Sequence, residues 1–158
     1  MSSPDLLFRL AALNTDYAST IDADRLEDWP GFFLETCLYK ITTAENEKRG
    51  YAAGVVYADS RAMLADRIAA LRQANIYERH RYRHIIGMPS IRSAEDHVIA
   101  AETPFLIVRT MRDGKMDLFA AGLYRDRVHP EEDGTLRFGE RIVVCDSSRF
   151  DTLVAIPF

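Results

Sequence analysis

The N-terminal part of the chain carries apolar side chains at helical spacing. They recur at steps of three or four residues: Leu6, Leu10, Leu13, Tyr17 and Ile21. Side chains at these steps share one face of a helix, and that face is expected to be buried. Ser3 suits an N-cap and Pro4 suits the first helical position. We therefore predict a helix that begins at Pro4 and ends near Asp22.

Two more helices and one strand are predicted in the first half of the chain. A short helix around Trp29 ends at Pro30-Gly31, because this pair breaks a helix. Residues 38–42 alternate in character and predict a strand, and the polar residues 43–50 predict a loop. Ser60 is the expected cap of the last helix. The buried face of that helix carries Met63, Leu64, Ile68 and Leu71.

From residue 82 onward the apolar pattern has a period of two, which is typical of strands. The predicted strands cover residues 82–92, 97–111, 115–128, 136–146 and 152–156. Asp113-Gly114 and Asp133-Gly134 are hairpin turn signals between them. Helices followed by long strands joined by hairpins predict an α+β fold with an antiparallel sheet. The length of 158 residues suits one domain, which we place over residues 1–158.

Two of the predicted strands are apolar on both faces. In the first, Phe105 and Ile107 face one side of the sheet, and Leu106 and Val108 face the other. In the second, one face is predicted to carry Met116, Leu118 and Ala120, and the other Phe119, Ala121 and Leu123. Helices can cover one face of such a sheet, so we expect a second subunit to cover the other. The alternative is a sheet that curls strongly enough to cover itself.

Composition and charge exclude several classes of protein. The chain is 47% hydrophobic and 28% charged, as is usual for a globular protein. Its net charge of −4 argues against nucleic acid as a main partner. No apolar run approaches the about 20 residues that a membrane span needs. The N-terminus lacks a basic region followed by an apolar stretch, so we expect a cytoplasmic protein with no membrane contact.

The spacing of histidines and cysteines does not indicate a metal centre. His80 and His84 could share a metal on a helix, but in the predicted strand they would be about 13 Å apart. A Rieske centre needs Cys-x-His and Cys-x-x-His pairs, whereas Cys37 and Cys145 have no histidine within several residues. Both cysteines are expected to be buried thiols. We therefore assign no cofactor-binding or metal-binding residue to this chain.

A dense polar and aromatic run over residues 76–84 is the candidate interaction segment. It contains the candidate interface residues Arg79, His80, Arg81, Arg83 and His84. Arginine guanidinium groups pair with carboxylates in a bidentate way, which suits an interface with another chain. The alternative is a solvated strand edge whose charges prevent aggregation.

One set of residues could support acid–base chemistry. If the N-terminal helices close one end of a curved sheet, Tyr17, Asp22 and His84 could share a pocket. A carboxylate and an imidazole in an apolar pocket can transfer protons. Asp22 is alternatively a helix cap, and we favour that role for it.

Several motifs in order along the chain resemble one family. They are Tyr17-Ala18-x-x-Ile21-Asp22, Trp29-x-x-Phe32-Phe33, Cys37-x-Tyr39, Asp59-Ser60-x-x-Met63-Leu64-x-Asp66-Arg67, the run from Ile76 to His84, and Asp146-Ser147-Ser148-x-x-x-Thr152-Leu153-x-Ala155-Ile156-Pro157. With these motifs the chain resembles, over nearly its whole length, the small (β) subunits of aromatic-ring-hydroxylating dioxygenases.

The resemblance implies a fold, an assembly and a reaction. The fold is a cone of strongly curved antiparallel sheet with N-terminal helices, similar to nuclear transport factor 2 and scytalone dehydratase, in the cystatin-like class. The assembly is a homotrimer of small subunits within a hetero-hexamer of three small and three large (α) subunits. The reaction is cis-dihydroxylation of an aromatic carboxylate, and the resemblance favours terephthalate.

The resemblance also implies that the cofactors lie outside this chain. The large subunit would carry a Rieske 2Fe-2S cluster and a mononuclear iron, and a reductase component would supply electrons from NAD(P)H. The small subunit would then be structural, and we assign no catalytic residue to this chain because the resemblance carries none onto it. The alternative is a free-standing isomerase or dehydratase of the same cone fold that uses Asp22 and His84.

Overall fold

The structure is a computed structural model that describes residues 3–50, 54–74, 79–149 and 156–158. The described residues form α1 (Pro4–Asp22), a 3-10 helix (Trp29–Phe32), β1 (Phe33–Thr43), α2 (Ala44–Lys48), β2 (Val56–Ser60), α3 (Arg61–Ala74), β3 (His80–Ile86), β4 (Ser90–Glu95), β5 (Val98–Met111), β6 (Met116–Pro130) and β7 (Leu136–Cys145). The strand predicted at residues 152–156 lies, apart from its last residue, outside the described ranges.

The strands form one curled sheet in the order β2-β1-β7-β6-β5-β3, and β4 pairs with the far half of β5. The sheet is curled and not closed. The pair β1–β7 is parallel, with Ile41 opposite Val143, whereas the other pairs are antiparallel. The α+β class and the curved sheet are thus confirmed, but the antiparallel prediction is wrong for this pair. Nothing local marks a pairing between strands that are so far apart in the chain.

The helices begin where their capping residues are. The Ser3 hydroxyl accepts a hydrogen bond from the main-chain N–H of Leu6 at 3.1 Å, and the Ser60 hydroxyl accepts one from Met63 at 3.2 Å. Each bond satisfies an N–H group that the first turn of a helix leaves free. The short helix predicted around Trp29 is a 3-10 helix that begins at this residue. The predicted loop after residue 43 contains α2, which sequence analysis missed.

Both hairpin turns form at the predicted Asp-Gly pairs. The Asp113 carboxylate accepts a hydrogen bond from the Lys115 N–H at 2.9 Å, and Gly114 has a φ of +89°. Asp133 makes the equivalent bond at 2.9 Å, and Gly134 has a φ of +86°. A side chain with a Cβ is disfavoured in this left-handed region, which explains glycine at both turns.

The core fills the concave side of the sheet with aromatic rings. The buried rings are those of Tyr17, Trp29, Phe33, Tyr39, Tyr82, Phe105, Tyr124, Phe138 and Phe158. Most of their contacts are edge-to-face, for example Trp29 against Tyr39 with 5.1 Å between ring centroids. Such pairs contribute about 0.5–1.5 kcal/mol each beyond the area that they bury. The two cysteines are buried free thiols, as expected, and burial raises the pKa of Cys145 to about 12.

Candidate functional site

Strand β3 divides the candidate interface residues between two faces. Arg79, just before the strand, and Arg81 and Arg83 within it are exposed, whereas His80 is half-buried and His84 is buried. Successive side chains of a strand point to opposite faces, so this alternation follows from the sequence of β3. The structure thus leaves the three arginines available to another chain, and it turns the two histidines toward the interior.

A β-bulge in β6 decides which of its residues share a face. Ile107 of β5 lies opposite Ala120, but the next residue, Val108, lies opposite Leu118. Phe119 is therefore the extra residue of a bulge. Its ring turns inward, whereas Leu118 faces out. The faces predicted for this strand are correct on each side of the bulge but wrong across it, because Met116 and Leu118 share the outer face with Ala121 and Leu123, whereas Phe119 and Ala120 both face inward.

As a result, the outer face of the sheet carries a contiguous apolar surface. This outer patch consists of Ile85 of β3, Pro104, Leu106 and Val108 of β5, and Met116, Leu118, Ala121 and Leu123 of β6. Leu118 is 65% exposed and Met116 66% exposed. The alternative that the sheet covers itself is thus wrong for this face. Contiguous exposed apolar surface of this kind is typical of protein interaction sites.

Arginines border the outer patch. Arg83 lies opposite Val108 in the β3–β5 register, and Arg81 lies opposite Thr110. Interfaces between subunits commonly have an apolar centre and a polar rim in which arginine is frequent. The outer patch together with Arg81 and Arg83 has this composition. The chemistry suited to this surface is the binding of another protein chain.

The predicted acid–base pair forms, but it is enclosed. The Asp22 Oδ1 lies 2.6 Å from the His84 Nδ1, and the Asp22 Oδ2 accepts a hydrogen bond from the main-chain N–H of His84 at 2.8 Å. The His84 side chain is 0% exposed. Its Nε2 is buried and has no hydrogen-bond partner in the described part of the chain. In this structure neither ring nitrogen is open to a substrate.

Asp22 is not the helix cap that the sequence predicts. The carboxylate does not cap a helix, because both of its oxygens bond to β3. It joins the last residue of α1 to the middle of an edge strand. Tyr17, the third member of the predicted set, is directed elsewhere: its hydroxyl donates to the main-chain oxygen of Phe158 at 2.5 Å. Of the three residues, the structure thus brings Asp22 and His84 together and places the Tyr17 hydroxyl in a different set of contacts.

A buried charged pair in the core was missed by the sequence analysis. Arg141 of β7 is 0% exposed and binds both carboxylate oxygens of Asp126 of β6 at 2.8 Å. Its guanidinium lies 3.9 Å from the ring centroids of Tyr124 and Phe138 and 4.3 Å from that of Tyr17. Strand alternation places both charged residues on the inner face, which was the signal that could have revealed them.

Burial and mutual attraction compete within this pair. Burial raises the pKa of Asp126 above its usual range, while the adjacent Arg141 opposes that rise. Burial disfavours the charged form of Arg141, but attraction to Asp126 outweighs it and raises the pKa of the guanidinium. Asn14 of α1 accepts a hydrogen bond from Arg141 and donates one to Thr103 of β5. The cluster joins α1 to three strands and is a structural feature.

The described residues contain neither a candidate metal site nor a candidate membrane span. Within residues 3–50, 54–74, 79–149 and 156–158, no three His, Cys, Asp or Glu side chains converge in a way that could hold a metal ion. Among the same residues, no helix has the length and apolar character needed to cross a membrane.

The fold is that of the cone-shaped α+β proteins related to nuclear transport factor 2, which include subunits of oxygenases. A solved structure from Novosphingobium aromaticivorans, classed as the β subunit of an aromatic-ring-hydroxylating dioxygenase, superposes with a TM-score of 0.88. It is 38% identical in sequence, and the match covers 96% of each chain.

Sequence comparison gives the same family. The profile of the ring hydroxylating beta subunit family matches residues 17–152. The β subunit 1 of the terminal oxygenase component of terephthalate 1,2-dioxygenase from a Comamonas species is 52% identical over 94% of this chain and 96% of its own. The small subunit of anthranilate 1,2-dioxygenase from Burkholderia cepacia is 39% identical over 95% and 92%. The chain belongs to the ring-hydroxylating dioxygenase β-subunit family.

Proposed function

We propose that this chain, as one domain over residues 1–158, is a structural subunit that organises a Rieske non-haem iron dioxygenase without catalysing a step itself. The outer patch is the observation that carries this role, because its exposed Leu118 and Met116 need a partner surface. The enclosed Asp22–His84 pair also supports the structural role, because these two residues, the acid–base candidates of the chain, bond α1 to β3.

The proposed assembly is a homotrimer of this chain within a hetero-hexamer that contains three large subunits. The outer patch and the arginines at positions 79, 81 and 83 are the proposed contact surface. A patch with an apolar centre and a rim of guanidinium groups suits a permanent interface, whose core is more apolar than the rest of the surface. Carboxylates on the facing chain would pair with the arginines.

Light scattering of a matched pair of variants tests this assembly. Leu118→Asp places a charge in the outer patch, whereas Phe8→Asp changes an apolar residue that is 73% exposed on α1, outside the patch. We expect the wild type and Phe8→Asp to be trimeric and Leu118→Asp to be monomeric, all three with the same circular dichroism. A monomeric wild type, or a trimeric Leu118→Asp, contradicts the proposal.

The cofactors of the complex are proposed to lie in the large subunit. These are a Rieske 2Fe-2S cluster and a mononuclear iron, with electrons arriving from NAD(P)H through a reductase. The described residues of this chain offer no cluster of three metal-ligating side chains, which fits that division. Co-expression with the large subunit should give a coloured complex in which the iron and the visible absorbance follow the large subunit. One iron bound per isolated small subunit would contradict this.

The proposed substrate is an aromatic carboxylate, with terephthalate first. The support is the likeness to two relatives whose names specify terephthalate, at 52% and 53% identity, against 39% for the anthranilate relative. The proposed reaction is cis-dihydroxylation of the ring. The test is oxygen uptake by the complete complex with terephthalate, benzoate and anthranilate. Faster turnover of anthranilate than of terephthalate would reassign the substrate.

A further inference from the structure

Phe158 lies inside the cone and contacts four separate elements. It is fully buried and belongs to no helix or strand. Its ring packs edge-on against Tyr82 of β3 and Phe119 of β6, with 5.9 and 5.6 Å between ring centroids. Its main chain reaches Tyr17 of α1 and Tyr39 of β1. Its ring and its main chain are thus both bound by side chains of other elements, as those of a bound small molecule would be.

Two buried phenol groups converge on the main chain of Phe158. The Tyr17 hydroxyl donates to its carbonyl oxygen at 2.5 Å, and the Tyr39 hydroxyl donates to the same oxygen at 3.2 Å. The Tyr39 hydroxyl also accepts from the Phe158 N–H at 3.1 Å. Burial raises the pKa of both phenols, so each remains a neutral donor at physiological pH. Without Phe158 both would lose their acceptor, which is costly in a buried site.

The third buried phenol of this cluster belongs to Tyr124. Tyr124 is fully buried, and its hydroxyl has no hydrogen-bond partner within the described ranges. Its ring centroid lies 6.1 Å from that of Tyr17. Buried hydroxyl groups usually have a hydrogen-bond partner. The cluster therefore offers more hydrogen-bonding capacity than Phe158 takes up.

We propose that the interior of the cone is a binding site for an N-acylated aromatic amino acid, and that Phe158 occupies this site as an internal ligand. Tyr82 and Phe119 bind the ring, while Tyr17 and Tyr39 bind an acceptor oxygen and an adjacent N–H. The ligand must therefore carry an aromatic ring, an acceptor oxygen and an N–H group, spaced as they are in phenylalanine. This site lies on the inner face of the sheet, so the inference is independent of the role proposed for the outer patch.

The test is a variant that lacks residues 156–158, with N-acetyl-L-phenylalanine as the probe. Ligands that bind only the folded state raise its unfolding temperature. We expect millimolar probe to stabilise the shortened variant and leave the full chain unchanged. N-acetyl-L-alanine, which lacks the ring, should have no effect. Adding Tyr39→Phe to the shortened variant should weaken probe binding at least about tenfold, because the Tyr39 hydroxyl makes two hydrogen bonds to the group in this site, one donated and one accepted.

Each outcome of this experiment bears on the proposal. If the shortened variant is unfolded, the probe should restore its native circular dichroism by mass action, and Phe158→Ala should bind toluene in the space left by the ring. The proposal is overturned if the probe neither stabilises nor refolds the shortened variant. It is also overturned if N-acetyl-L-alanine acts equally, or if the full chain responds as strongly as the shortened one.

Discussion

The Asp22 carboxylate bonds to both the ring and the main chain of His84, at 2.6 Å to Nδ1 and 2.8 Å to the main-chain nitrogen. One side chain thus joins the end of α1 to an edge strand. Asp22→Asn keeps the size of the side chain but places an amide where two acceptors are required. We expect a loss of about 1–3 kcal/mol in the free energy of unfolding, measured with urea.

The same variant separates a structural role from a catalytic one. In a complete complex whose assembly is confirmed by size exclusion, Asp22→Asn and His84→Gln should keep turnover within a few-fold of the wild type. A general acid or base contributes about 10²–10⁴-fold, so its loss would be obvious. A hundredfold fall in the intact complex would mean that this subunit takes part in the reaction.

Removing one partner of the buried Arg141–Asp126 pair should destabilise the fold more than replacing both partners with apolar residues. Arg141→Met leaves the carboxylate of Asp126 buried without its partner, and we expect a loss of about 3–5 kcal/mol. The double variant Arg141→Met with Asp126→Leu removes both charges and should recover most of that loss. Urea unfolding of the two single variants and the double variant measures the coupling. A double variant as unstable as the sum of the two single variants would contradict the prediction.

Alkaline pH should destabilise the fold through its buried phenols. Burial raises the pKa of Tyr17, Tyr39 and Tyr124 in the folded chain, whereas phenols of the unfolded chain lose their protons near about pH 10. The folded state therefore holds these protons to higher pH than the unfolded state does. Stability should be complete below about pH 10 and fall as the pH rises above it.

This pH dependence can be followed by urea unfolding and by phenolate absorbance. The absorbance of the three buried phenols should appear only as the protein unfolds. Tyr57→Phe is the matched control, because Tyr57 is half exposed on β2, and it should leave the pH profile of stability unchanged. Ionisation of all seven tyrosines while the circular dichroism stays native would refute the prediction.

The β4–β5 turn is strained and can be improved. Asp96 and His97 have φ values of +53° and +61°, in the left-handed region that side chains with a Cβ disfavour. Asn-Gly is the preferred pair for a two-residue hairpin turn of this kind. Asp96→Asn with His97→Gly should therefore raise the free energy of unfolding by about 1 kcal/mol. An unchanged or lower urea midpoint would contradict this.

Features that depend only on neighbouring residues were predicted correctly from the sequence. Ser3 and Ser60 marked the helix starts, and Gly114 and Gly134 marked the hairpin turns, because capping and turn formation involve only neighbouring residues. The outward position of Arg81 and Arg83 also follows from the alternation of a single strand.

Features that depend on distant partners could not be predicted in this way. The parallel β1–β7 pair depends on the positions of all the other strands. The bulge at Phe119 shifts the register by one residue, and that reverses the faces of everything beyond it. The sequence predicts a shared pocket for Asp22 and His84, but the two hydrogen bonds from Asp22 to His84 depend on how α1 packs against β3.

The parallel β1–β7 pair also determines when the sheet can be completed during synthesis. Strand β1 lies between β2 and β7, and Ile41 finds its partner Val143 only after nearly the whole chain has left the ribosome. Pairings this distant in sequence are slow to form and leave strand edges open while they wait. The β1–β7 pair therefore cannot form until β7 has been synthesised. A nascent chain that lacks β7 would leave one edge of β1 unpaired, and unpaired strand edges favour aggregation.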